Sequence, residues 1–119
     1  MTLQRRSHAV MDWSALRTIV RGNEVLENRM LDLFVEESAR SLEALSSAYE
    51  RRDLELARSF AHQLAGAAQT IGAMALGTAA KALEEESAYE DLGLVPKLID
   101  RARTAANDVQ REILTRRQS

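Results

Sequence analysis

The stretch DLELARSFAHQLAGAAQTIG, residues 53–72, decides how this chain folds. Asp53 suits a helix N-cap, since its carboxylate can accept from a free amide of the first turn, and Gly72 suits the left-handed stop. Between them Leu54, Ala57, Ala61, Leu64, Ala68 and Ile71 form a stripe in steps of three and four, one buried face of a helix. Glu55, Arg58, Ser59, His62, Ala65, Gly66 and Gln69 fall on the opposite face, so the His62 imidazole is expected to point to water.

The same pattern extends in both directions. Asp12 can cap a short first helix carrying Trp13, Leu16, Ile19 and Val20, which Gly22 stops. Asn23 caps a long second helix to about Arg51, with Leu26, Met30, Leu33, Phe34, Leu42, Leu45 and Tyr49 as its apolar positions. At its length that helix spans about 40 Å. Beyond Gly72 a fourth helix covers Met74 to Tyr89 with Leu76, Ala79, Ala80 and Leu83 inward, and Asp91-Leu92-Gly93 is the next loop. Pro96 falls in the first turn of the last helix, where its missing N–H costs little, and Leu98, Ala102, Ala105, Val109 and Ile113 line that helix. Short loops between long amphipathic helices make neighbours antiparallel. The expected fold is therefore all-α, an antiparallel four-helix bundle with a short extra N-terminal helix. Residues 1–10 read as a flexible tail and 11–116 as the single domain.

Composition agrees. Of 119 residues, 45% are apolar and 29% charged, with one proline and five glycines. That balance suits one folded domain with a single core. Sixteen basic against eighteen acidic residues leave a net charge of −2, without the basic stripe of a nucleic-acid binder. The pairs Arg5–Arg6, Arg51–Arg52 and Arg116–Arg117 read as solvated surface at element ends. The absence of cysteine rules out disulfides and thiol chemistry. No apolar run is long enough to span a membrane, and the N-terminus lacks a signal-peptide core, so no membrane is expected and the cytoplasm is the expected location.

His62 is the candidate reactive group. A largely neutral imidazole at physiological pH keeps a nucleophilic lone pair. Ala65 and Gly66, one turn further on, leave the ring standing clear. A glycine inside an exposed helix costs about 1 kcal/mol relative to alanine, which suggests that something bulky must approach that backbone.

The run Ala61-His62-Gln63-Leu64-Ala65-Gly66, continued to Gly72 and with Leu83-Glu84 downstream, resembles the signature of histidine-containing phosphotransfer (HPt) domains. Phe34 in the long helix and the Gly22-Asn23 break before it fall where such domains place them, so the resemblance covers roughly 11–115. It implies a four-helix bundle, His62 as phosphoacceptor through Nε2, and exchange with an aspartate on a response-regulator receiver domain that supplies magnesium. A hybrid histidine kinase is a second implied partner. Ala65, Gly66, Gln69 and Gln63 are then expected to give access and docking for the partner. The family's usual lysine three residues after the histidine is Ala65 here, so Arg58 and Gln69 are the expected aids to phosphoryl stabilisation. The chain is expected to be a carrier rather than an enzyme, with no cofactor and no metal of its own. The alternative is a non-transferring adaptor of the same fold that binds receiver or kinase domains.

Other readings fail on particular residues. A kinase dimerisation domain carries an acidic residue after its histidine, whereas Gln63 stands here. A di-iron bundle needs Glu-x-x-His pairs, but Ser59 precedes His62 and Arg5 precedes His8. The run Glu84-Glu85-Glu86 fans around its helix and reads as a solvated face. Gly72 to Thr78 has P-loop glycine spacing without the lysine.

Overall fold

The computed structural model describes residues 9–87 and 93–118. They form five helices: α1 (Trp13–Val20), α2 (Glu24–Glu50), α3 (Leu54–Ile71), α4 (Met74–Glu86) and α5 (Val95–Gln118). Helices α2 to α5 make the bundle and α1 closes one end. The expected His8, Tyr89 and Asp91-Leu92 positions lie outside the described residues.

The caps fall where the sequence puts them. Asp12, Asn23 and Asp53 accept from the amides of Ser14, Leu26 and Leu56 at 3.1, 3.0 and 3.2 Å. The hydroxyl and amide of Ser14 together hold the Asp12 carboxyl below its usual range. Helix α3 ends on Gly72 at φ 87°. At the end of α1 the left-handed residue is Arg21, φ 51°, and Gly22 follows at φ 85°. Helix α4 has no side-chain cap. Instead its Met74 amide donates to the Val10 carbonyl at 3.1 Å, while the Asp12 amide donates to the Gly72 carbonyl at 2.7 Å. Val10, placed by the sequence in the tail, is half-buried against the core.

The core is mainly leucine and alanine, with valine and isoleucine on α5. Leu16, Leu31, Leu45, Leu64, Leu76 and Leu83, with Val95 and Val109, are its largest fully buried side chains. Burying one such leucine is worth about 1.5–3 kcal/mol. Three expected core positions are corrected: Ile19, Leu26 and Leu33 are 41%, 39% and 55% exposed. The buried stripe of α2 runs through Leu31, Phe34, Ser38, Leu42, Leu45 and Ala48, and Leu26 and Leu33 lie off it. Ser38 escaped notice because it is polar. Its hydroxyl donates to the Phe34 carbonyl at 2.6 Å, which makes its burial tolerable.

Between α3 and α4 the contact residues are small. A Cβ on Gly77 would stand 3.6 Å from the Ala68 methyl, and Ala57, Ala61, Ala79 and Ala80 are buried. Small residues let two helix backbones approach, so side chains at the rim of the seam can meet.

Candidate functional site

Helix α3 presents His62 to solvent, its side chain 75% exposed. Across the α3–α4 seam, Nδ1 of His62 lies 2.9 Å from Oε2 of Glu84. A carboxylate can only accept, so this contact places the imidazole proton on Nδ1. Nε2 then keeps its lone pair and faces away from the partner that orients the ring.

His62 and Glu84 stand at nearly equal distances from the Gly72 turn, one on each arm of an antiparallel pair. The sequence reading of Glu84 as one of three solvated carboxylates is corrected here: its side chain is only 26% exposed and it holds the histidine. Folding α3 back on α4 about Gly72 would have been the signal.

A groove of about 450 Å³ runs from His62 toward the elbow. Ala65, Gly66 and Gln69 line it with His62, as expected for access to the ring, and Met74, Thr78 and Lys81 of α4 form the other wall. Gly66 faces open space: a methyl group at that position would meet nothing within 4 Å. Asp12 and Ala15 close the far end of the groove. Lys81 has no counterpart in the sequence reading, because it lies on another helix and joins His62 only through the α3–α4 pairing.

Two other expected site residues are placed elsewhere. Gln63 lines a separate groove against α2, with Arg40, Ser47 and Phe60. Arg58 is exposed one turn before His62 and is not among the residues lining the histidine's groove. Among the described residues no three His, Asp or Glu side chains converge as a metal ion would require. Likewise, no described helix is long and apolar enough to cross a membrane.

The family model for the Hpt domain matches residues 29–112. Among solved structures, histidine-containing phosphotransfer protein B (HptB) of Pseudomonas aeruginosa PAO1 is similar at 28% identity and a TM-score of 0.85. The alignment covers 94% of this chain and 97% of that one. No curated protein matches the chain significantly.

Proposed function

The chain belongs to the Hpt domain family, whose members are phosphocarriers of two-component signalling, and from that premise we propose that His62 carries the phosphoryl group. The partner in this reading is a response-regulator receiver domain, with a hybrid kinase as a further source of phosphate, all in the cytoplasm. The observation that carries it is the pairing of Nδ1 with Glu84, which leaves Nε2 exposed and nucleophilic.

The step balances without any further group on this chain. The Nε2 lone pair forms the P–N bond as the acyl-phosphate P–O bond of the receiver's aspartyl phosphate breaks, and the aspartate leaves as a carboxylate. The imidazole, protonated on Nδ1, gains positive charge as the bond forms. Glu84 accepts the Nδ1 hydrogen bond and stabilises that charge, since hydrogen bonds between ionised partners are the strong ones. The receiver brings magnesium, and the rest of the transfer is positioning and electrostatics. Gly66 and Ala65 leave room for the receiver to bring its phosphoryl group up to the ring.

His62→Gln is the decisive variant. The ring makes no core contact, so the variant should keep its helicity by circular dichroism and take no label from a phosphorylated receiver. Base-stable, acid-labile label on folded His62→Gln protein would overturn the assignment. Ala65 favours the second reading, an adaptor that binds receivers without transfer. A wild-type chain that binds a phosphorylated receiver and stays unlabelled would establish that reading instead.

A further inference from the structure

We infer that Lys81, on α4, supplies the cation that the phosphoryl group on His62 needs, across the helix seam from the position where α3 offers only Ala65. This rests on the reading of His62 as phosphoacceptor.

The register of the seam carries the inference. Antiparallel packing that joins His62 to Glu84 and brings Gly77 against Ala68 places Lys81 opposite Ala65. Both residues line the groove that holds His62. Lys81 also precedes Glu84 by three residues, so the two share a face of α4 and stand one above the other. The long stem of a lysine in that position can extend from the far wall toward the imidazole, with an alanine rather than a bulky side chain opposite.

Charge supplies the need. Besides His62, the charged residues lining the groove are Asp12, Glu84 and Lys81. A phosphoryl group adds close to two negative charges to a groove that already holds two carboxylates. Lys81 is exposed and, among the described residues, takes part in none of the ion pairs. It is therefore available to an incoming anion. Arg58 is likewise in none of those pairs, but it lies outside the groove, a turn toward the start of α3. An ammonium acts as a mobile point charge on a long stem, suited to an anion that comes and goes.

The test uses the full chain and one phosphorylated receiver domain, with phosphoryl occupancy of the chain measured at low and at high salt. Lys81→Gln should lower occupancy about three- to fivefold at low salt, the range of an exposed ion pair. The deficit should shrink at high salt as the charges are screened. Lys81→Arg should hold occupancy near wild type. Adding Ala65→Lys to Lys81→Gln should restore most of it, because the new ammonium starts from the facing position. Wild-type occupancy in Lys81→Gln at low salt would overturn the inference while leaving His62 as acceptor. So would a deficit indifferent to salt that neither Lys81→Arg nor Ala65→Lys repairs. A wild-type chain that takes no label would sink the acceptor reading itself, and this inference with it.

Discussion

Two grooves on this molecule treat charge in opposite ways. The larger, about 920 Å³, lies where α1 and the start of α2 meet the end of α5. There Arg116 stacks over Trp13 at 4.2 Å and pairs with Glu27 at 3.1 Å, while Arg117 pairs with Asp32 at 3.0 Å and bonds Asn28. Those two arginines, read from the sequence as solvated surface, are instead the clasp between the first helices and the last. The smaller groove, beside His62, contains one side-chain pairing, from the histidine to Glu84, and a lysine that takes part in none of the ion pairs among the described residues. On the proposed reading of His62, size does not mark the working surface. In the larger groove each of these cations is already neutralised by the fold; in the smaller one Lys81 stays outside the ion pairs of the described residues, open to the anion inferred above.

The largest effect expected from breaking this contrast is steric. Gly66→Leu should keep or raise helicity, since its side chain projects into open space and leucine is the better helix former. Transfer from a receiver should nevertheless fall by about tenfold or more, equivalent to about 1.4 kcal/mol on the barrier. Normal single-turnover labelling by a folded Gly66→Leu protein would mean that nothing bulky needs that space.

A smaller effect is expected at Glu84. Glu84→Gln keeps a side chain of the same reach but removes the charge that faces the ring. Labelling should slow about fivefold, the difference between a charge-assisted and a neutral hydrogen bond. The melting temperature should not move, because the contact is at the solvent edge. A rate equal to wild type would reduce Glu84 to a bystander and leave ring orientation to α3 alone.

The smallest effect belongs to the other groove. Arg116→Ala removes a stacked cation and a partly exposed ion pair, together worth about 1 kcal/mol. A thermal melt should fall by a few degrees. Labelling of the folded variant should be unchanged. A loss of labelling without a loss of stability would show that the clasp and the histidine groove are coupled, and the contrast between them would dissolve.

The fold was legible because its signals are local. Asp12, Asn23, Asp53 and Gly72 each announce a helix boundary within one turn, and the stripes of α3, α4 and α5 keep a clean period. Helix α2 was harder, because Leu26 and Leu33 compete with a stripe that passes through Ser38 and Ala48. The site divided along the same line. His62, Ala65, Gly66 and Gln69 share one helix face, so periodicity alone collects them. Glu84 and Lys81 join them only after α4 folds back along α3, and that pairing depends on backbone approach through Gly77 and the alanines rather than on any local spacing.

The backbone ties at the α3–α4 elbow bear on how portable this module is. Gly72 is fixed twice over, by its positive φ and by the Asp12 carbonyl, into which any Cβ at that position would run. Val10 lends its carbonyl to the uncapped start of α4. Both ties come from residues that precede the family-matched segment. A graft of residues 29–112 into another protein would carry His62, Glu84 and Lys81 intact. It would leave behind Asp12 and Ala15 at the far end of the groove, the carbonyl that meets the first turn of α4, and both halves of the Trp13–Arg116 stack. The inheritable unit of this site is thus longer than its signature, and a transplant that respects it has to begin before Val10.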